Sequence, residues 1–242
     1  MGARTAAGVG LVAVGLALAL ASLPVVVGQK RAVDVYDELA DVATRDEGER
    51  TVDWDALLAA NSSVVAWCRV EGTTIDHPVC QASDEDPTFW LTHDLWGAES
   101  PAGTPYIDHR TRADSLHVLC YGHHLAGTGG MFSDVYRCHE QGKFEGILTG
   151  GLLWLTPDGG AVRMEPLCAS SQDMGYARIQ RFEFADDAEL RAWLRDILSD
   201  ASAAAADAEE LLGRATRAVT LVTCCSDIAG QRGRTLVTFV GS

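Results

Sequence analysis

Two thiols and a guanidinium flank one loop near the C-terminus. Cys224 and Cys225 end a run rich in Val, Thr and Leu, and Arg234 opens a second such run ten residues after Cys224. β-Branched runs on both sides of a short polar connection predict two strands joined by a loop. The thiol and the guanidinium would then meet at the loop mouth. A thiolate there can attack a carbonyl carbon, and an arginine can stabilise the oxyanion that forms.

A cysteine nucleophile also needs a base or ion-pair partner, which is most often histidine. The best candidate is His123, because the apolar run 116–121 and Gly122 deliver it at the end of a predicted strand. His117 lies within that strand, where a structural role is expected. The adjacent pair His123-His124 lacks the spacing of a metal site, so we expect no metal and no cofactor. The other histidines are His77, His93, His109 and His139.

The spacing of these residues resembles that of the sortases, the cysteine transpeptidases of Gram-positive cell surfaces. The similarity covers residues 52–240, which is most of the chain. The motifs that carry it are Tyr121-Gly122-His123 after a strand, Thr223-Cys224 about a hundred residues later, and Arg234. Three further segments are similar to class B sortases in particular, namely 64–81, His93-Asp94 and Gly130-Met131-Phe132.

The resemblance assigns roles that periodicity leaves open. Alternate side chains of a strand lie on opposite faces, so only one of Cys224 and Cys225 can meet the other two groups. The sortase pattern selects Cys224 as the nucleophile, His123 as the donor of a proton to the leaving amine, and Arg234 as the oxyanion donor. Its rival Arg232 is then a loop residue. Cys225 departs from the usual pattern and is expected to pack beside the site.

The resemblance also implies the partners and the reaction. A surface protein or pilin with a C-terminal sorting motif, of the Asn-Pro-x-Thr-x type, would be cleaved after threonine to give a thioester. An amine of a peptidoglycan precursor or a pilin lysine would then resolve the thioester. Two alternatives stay open: a cysteine peptidase that hydrolyses the thioester, and a non-catalytic barrel that binds sorting peptides. An L,D-transpeptidase is not favoured, because its Ser-x-Gly-Cys signature is missing.

Class B is favoured over classes A, C and D by an amphipathic helix at 186–199, before the penultimate strand. The surrounding segment, 168–213, is expected to hold the specificity loop. The Asp86-Pro87 pair follows the first two predicted strands, so it does not indicate the lid of class C enzymes.

Composition limits the class of protein. The formal net charge of −15 disfavours binding to nucleic acid, which needs a basic surface. The seven cysteines form no C-x-x-C pair, which disfavours zinc-ribbon and thioredoxin chemistry. In an exported protein, a disulfide between Cys68 and Cys80 would be allowed.

The chain divides into three parts. Residues 1–29 form an anchor or signal-like segment, because the mostly apolar run 9–27 is about as long as a bilayer is thick. A retained transmembrane helix is preferred, although Ala19-Leu20-Ala21 also fits a signal-peptide cleavage site. Residues 30–50 are expected to be a juxtamembrane helical linker, and residues 51–242 the catalytic domain. The resemblance places that domain outside the cell, on a single-pass membrane protein.

The predicted fold is mainly β. Many short strands with few helices indicate a closed, sortase-type barrel of about eight strands, with N-terminal helices packed on it. The predicted strands are 64–70, 75–81, 104–108, 116–121, 152–155, 162–168, 179–184 and the two around the cysteine pair. The predicted helices include 53–61, 131–138, 186–199 and 201–212.

Overall fold

A computed structural model describes residues 27–28, 30–31, 34–36, 52–227 and 230–242. Its strands are β1 (Val64–Val70), β2 (Asp76–Gln81), β3 (Tyr106–Ile107), β4 (His117–Tyr121), β5 (Leu152–Leu155), β6 (Ala161–Asp173), β7 (Ala203–Ala204), β8 (Arg217–Cys224) and β9 (Gly233–Gly241). Its helices within 52–242 are α1 (Trp54–Ala60), α2 (Gln141–Ile147), α3 (Asp187–Ser199) and α4 (Ala208–Arg214).

Eight of the strands close into a barrel. Their order is β5-β1-β2-β3-β4-β8-β9-β6, and pairing of β6 with β5 completes the circle. Closure depends on the long β6, whose first residues pair with β5 and whose later residues pair with β9. Pairings β2–β3 and β4–β8 are parallel, and β7 lies outside the barrel on β6. The predicted fold class is therefore confirmed.

Side-chain alternation separates the barrel interior from its outer face. On β4, Val118 and Cys120 belong to the interior cluster, whereas Leu119 belongs to a second cluster between the barrel and the helices. On β8, Val219 and Leu221 point inward. This period of two follows from the pleat of a strand. His117 and Tyr121 alternate with the inward residues of β4, and Cys224 alternates with those of β8. All three side chains therefore lie on the outer face of the barrel.

Helices α3 and α4 cover the outer face of β4, β8 and β9. Asp186 caps α3 by accepting a hydrogen bond from the backbone N–H of Glu189, at 2.9 Å. The buried face of α3 matches the predicted amphipathic pattern, and it consists of Leu190, Trp193, Leu194 and Ile197. The inserted helix before the penultimate strand is thus present, together with a second one.

The N-terminal part of the described chain packs against β1, β2 and β3, where Tyr36 and Leu57 share a cluster with Trp67, Cys80 and Tyr106. Residues 30–31 and 34–36 are helical, and the buried Tyr36 hydroxyl lies 2.7 Å from Thr104 Oγ1 and accepts from the backbone N–H of Leu95 at 2.9 Å. The expected apolar anchor lies almost entirely outside the described residues. None of the described helices is long and apolar enough to cross a bilayer.

Three predictions of secondary structure were wrong. Residues 179–184 form no strand: Ala177–Ile179 is a short 3₁₀ helix, and 180–184 has no regular secondary structure. The predicted helix 131–138 is reduced to the 3₁₀ helix Ser133–Val135. The predicted helix 201–212 is interrupted, since Ala203 and Ala204 pair with β6 as β7 and α4 begins only at Ala208. At this last segment, tertiary strand pairing overrides the high helix propensity of alanine.

Candidate active site

A groove on the outer face of the barrel contains all three predicted site residues. Its volume is about 420 Å³, and its lining includes His123, Cys224 and Arg234. The walls come from two irregular segments, 87–91 and 173–180. The structure therefore brings His123 into one groove with Cys224 and Arg234, which lie about a hundred residues later in the sequence.

The floor of the groove consists of outward residues from three adjacent strands. It is apolar at one end, where Leu119 (β4), Val222 (β8) and Leu236 (β9) lie. Cys224 lies two residues after Val222 on β8, and Arg234 lies two residues before Leu236 on β9, so both occupy the same outer faces as these apolar residues. The groove thus changes along its length from an apolar floor to a reactive end.

Cys224 and Arg234 are direct partners in the antiparallel register of β8 and β9. Arg234 Nη1 donates to the backbone carbonyls of Gln231 and Gly233, both at 2.8 Å. Among the described residues, its other N–H groups have no hydrogen-bond partner. A guanidinium held at one nitrogen in this way can still donate from the others to an oxyanion next to the thiol.

His123 follows the end of β4, the strand next to β8, and lines the same groove as Cys224. In the parallel register of β4 and β8, Tyr121 is opposite Val222, and the backbone N–H of Gly122 donates to Val222 O at 3.0 Å. His123 and Cys224 each lie two residues after this last registered pair. His123 Nε2 lies 2.7 Å from the backbone carbonyl of Leu91.

Gly122 is required by packing. A Cβ at this position would lie 2.5 Å from the ring of Phe132, which is fully buried. The backbone N–H of Phe132 also donates to His123 O at 2.9 Å. The sortase-like segment Tyr121-Gly122-His123 and the class B-like segment Gly130-Met131-Phe132 are therefore one packing unit that sets the position of the histidine.

The rival residues at the loop have other partners. Cys225 lies next to Gly233, where an added Cβ would come within 2.3 Å of its Sγ, and its N–H donates to Gly233 O at 3.3 Å. Arg232 makes a bidentate pair with Asp173, with Nε and Nη2 at 2.9 Å and 2.8 Å from the carboxylate oxygens. Cys225 thus packs against Gly233, and Arg232 ties the loop to the end of β6.

The remaining cysteines are buried, and burial raises the pKa of each, to about 12 for Cys138 and Cys168. All seven are free thiols, so Cys68 and Cys80 form no disulfide. Thiolate formation, on which nucleophilic attack depends, is disfavoured at the five buried sites. Only Cys224 and Cys225 are partly exposed.

Among the described histidines, His109 is the only one besides His123 that lines the groove. His77 and His117 are buried, and burial lowers the pKa of each to about 4. His109 lines the groove beside Asp108, and His93 stacks on Phe89. His139 lies 3.1 Å from Thr235 Oγ1.

His124 belongs to a cluster that sequence reasoning missed. Its Nε2 donates to Asp227 Oδ1 at 2.8 Å, its ring stacks on Tyr136, and the Tyr136 hydroxyl donates to Asp227 Oδ2 at 3.2 Å. The hydrogen bond from His124 is the main reason why the pKa of Asp227 lies below its usual value. This cluster attaches the first half of the β8–β9 loop through Asp227, and the Arg232–Asp173 pair attaches the second half through Arg232.

A polar network at the far end of the groove was also missed. Arg110 donates to both oxygens of the buried Asp108 carboxylate at 2.8 Å, and the Tyr121 hydroxyl donates to Asp108 at 3.1 Å. Burial alone would raise the pKa of Asp108, but these hydrogen bonds outweigh it and lower the pKa. Arg110 Nη1 reaches the Gln180 side chain in the opposite wall at 3.1 Å. The only sequence signal was the Asp-x-Arg spacing after a strand.

Within the described part of the chain, no three His, Cys, Asp or Glu side chains cluster in a way that could hold a metal ion.

No protein-family model matches the sequence, and no curated protein matches it. Solved structures do match its fold. A substrate complex of sortase B from Staphylococcus aureus is 19% identical, with a TM-score of 0.63 over 78% of this chain and 84% of that one. A mutant sortase B from Clostridium perfringens is 20% identical, with a TM-score of 0.71 over 86% and 97%. Sortase B from Bacillus anthracis is 21% identical, with a TM-score of 0.67 over 86% and 94%. The chain therefore has the fold of the class B sortases.

Proposed function

We propose that this protein is a class B-like sortase, a cysteine transpeptidase that cleaves a C-terminal sorting motif and transfers the acyl group to an amine. The observation that carries the proposal is the convergence of Cys224, His123 and Arg234 at one end of a groove. The resemblance in sequence motifs and the sortase B fold support it independently of each other.

The shape of the groove suits an extended peptide. From Leu119 on β4 to His123, two residues beyond the end of that strand, the floor covers four residue steps, which corresponds to about 13 Å and to roughly four residues of extended substrate. The solved sortase B from Staphylococcus aureus is itself a substrate complex. We assign the apolar floor to the residues before the scissile bond, and the Asp108–Arg110 network to the far end of the motif.

In the proposed mechanism the Cys224 thiolate attacks the carbonyl carbon of the motif threonine. The Arg234 guanidinium donates to the resulting oxyanion. His123 gives a proton to the departing amine, and a thioester with Cys224 remains. An acceptor amine, from a peptidoglycan precursor or a pilin lysine, then attacks the thioester and restores the thiolate.

The domain organisation belongs to the same proposal. Residues 1–29 would anchor the protein in the membrane, 30–50 would link the anchor to the barrel, and 51–242 would act outside the cell. The observation that supports this arrangement is Tyr36, whose hydrogen bonds to Thr104 and Leu95 join the juxtamembrane segment to the barrel.

The proposal is tested by incubating the protein with a library of sorting-motif peptides and added amines, followed by mass spectrometry. We expect an adduct on Cys224 and a peptide joined to the amine. Release of the free acid alone would indicate the peptidase alternative. Binding of a peptide without an adduct or product would indicate the non-catalytic barrel.

A further inference from the structure

We propose that the backbone carbonyl of Leu91 fixes the tautomer of His123, so that Nδ1 is the ring nitrogen that exchanges protons during catalysis. Gly103 is the residue that allows this carbonyl to take its position. The catalytic part of this inference rests on the proposed function, whereas the tautomer itself does not.

The hydrogen bond leaves only one assignment of the ring. A carbonyl oxygen can only accept, so the 2.7 Å contact between Leu91 O and His123 Nε2 requires a proton on Nε2. A neutral imidazole carries a single N–H, and its other nitrogen is then an acceptor. Among the described residues, Nδ1 has no hydrogen-bond partner. Nδ1 is therefore the atom that can receive a proton from the groove and return it.

The carbonyl is held by a tight turn, Phe89–Leu91, in the wall of the groove. The buried Trp90 fixes the turn, because its Nε1 donates to Gln81 O at 3.0 Å and its carbonyl accepts from the Thr104 N–H at 2.8 Å. His93 Nδ1 donates to Phe89 O at 2.8 Å. The His93-Asp94 segment, which sequence similarity singled out, thus helps to hold this turn.

Gly103 packs directly against the turn. A Cβ on Gly103 would lie 2.6 Å from Trp90 O and 2.7 Å from Leu91 O, and both atoms are backbone. Gly103 also has a φ of +60°, in the left-handed region that side chains disfavour. Any side chain at this position must displace the Leu91 carbonyl from its place opposite His123.

The proton balance of the two half-reactions is simple under this assignment. In acylation, the Nδ1–H bond breaks and the proton passes to the amine nitrogen as the C–N bond of the substrate breaks. The ring is left neutral, with its remaining proton on Nε2. In the second step, the attacking amine gives a proton to Nδ1, and the C–S bond of the thioester breaks to release the thiolate. Leu91 O accepts from Nε2–H throughout.

The first test needs no substrate. In the full chain labelled with ¹⁵N-histidine, two-bond ¹H–¹⁵N spectra distinguish the two tautomers, and the His123→Gln variant identifies the His123 signals. We expect neutral His123 to be protonated at Nε2. A neutral ring protonated at Nδ1 would overturn the inference, whatever the activity of the protein.

The second test compares Gly103→Ala with Gly97→Ala. Gly97 also has a positive φ, of +79°, but an added Cβ would meet nothing within 4 Å, so backbone strain is matched and only the clash differs. We expect Gly103→Ala to populate both tautomers and to slow acylation by about tenfold to a hundredfold, with little change in KM. Gly97→Ala should keep the single tautomer and the rate.

An unchanged tautomer and rate in Gly103→Ala would refute the role of Leu91. If Gly103→Ala does not fold, the spectrum of the unaltered protein still decides the assignment of Nδ1. A clear Nε2–H signal in a protein that joins no amine would contradict the proposed function and leave the tautomer intact.

Discussion

Cys224 and Arg234 face each other directly across β8 and β9. Residues directly opposite in an antiparallel pair have Cβ atoms about 4.5–5.5 Å apart, which is within reach of a long guanidinium. Backbone pairing of β8 with β9, and not a contact between the two side chains, places Cys224 opposite Arg234. The geometry of the reactive end is therefore a property of the barrel itself.

Replacing Arg234 with alanine should remove the oxyanion donor. We expect acylation by a sorting peptide to slow by about 10²- to 10³-fold, with a small change in KM, because the lost interaction forms only in the transition state. Arg234→Lys should recover part of the rate, since lysine keeps the charge and loses the planar fork. Single-turnover acylation kinetics measure both effects.

Arg232→Ala is the matched control for charge and loop position. Its pair with Asp173 is more than half exposed on both sides, so its loss should affect the rate far less than the loss of Arg234. Equal losses in Arg232→Ala and Arg234→Ala would show that the loop, and not an oxyanion donor, is what the mutations disturb.

Gly122→Ala should damage the position of His123. The new Cβ would collide with the Phe132 ring, which is fully buried and cannot withdraw, and overpacking of this kind costs about 1–3 kcal/mol. We expect lower stability in urea denaturation and slower acylation together. Gly142→Ala, in helix α2 with nothing within 4 Å, should be as stable as the unaltered protein or more so. Equal stabilities of the two variants would contradict the packing argument.

Stability should fall in mild acid because of two buried histidines. Burial lowers the pKa of His77 and His117 to about 4 in the folded chain, whereas the unfolded chain titrates near pH 6.5. Their contribution to the free energy of unfolding is complete above about pH 6.5. It is lost as the pH falls to about 4, because in this range only the unfolded chain takes up protons on these histidines. The loss amounts to about 3 kcal/mol for each group.

The share of His117 in this acid sensitivity can be measured in the variant His117→Gln. Glutamine does not titrate, so the free energy of unfolding of this variant should depend less steeply on pH between 6.5 and 4. Urea midpoints across that range provide the comparison, in which the slope matters and not the absolute stability. Identical slopes would show that His117 takes no part in the acid sensitivity.

Much of the barrel and the placement of the three site residues could be predicted from the sequence. Strand alternation predicted that His117, Leu119 and Tyr121 share a face, and the packing of Val118 and Cys120 in the interior confirms it. Residue types at a strand exit pointed to His123. The spacing of Cys224 and Arg234 predicted strand partners, which the register shows.

The parts that escaped prediction depend on contacts between segments far apart in sequence. No side-chain pattern marks the Leu91 carbonyl, because every residue carries one. Asp227 meets His124 across 103 residues, and Arg110 meets Gln180 across 70, so no local spacing could pair them. Residues 179–184 have strand-like composition, but they pair with no strand, and Ile179 and Gln180 line the groove instead.

The identity of the attacking thiol is the central claim about this site. The measurement is acyl-enzyme trapping with a sorting-motif peptide in Cys224→Ala and Cys225→Ala, read by mass spectrometry of the intact protein. We predict that Cys225→Ala still forms the thioester and that Cys224→Ala forms none. A thioester that persists in Cys224→Ala and disappears in Cys225→Ala would contradict the proposed site.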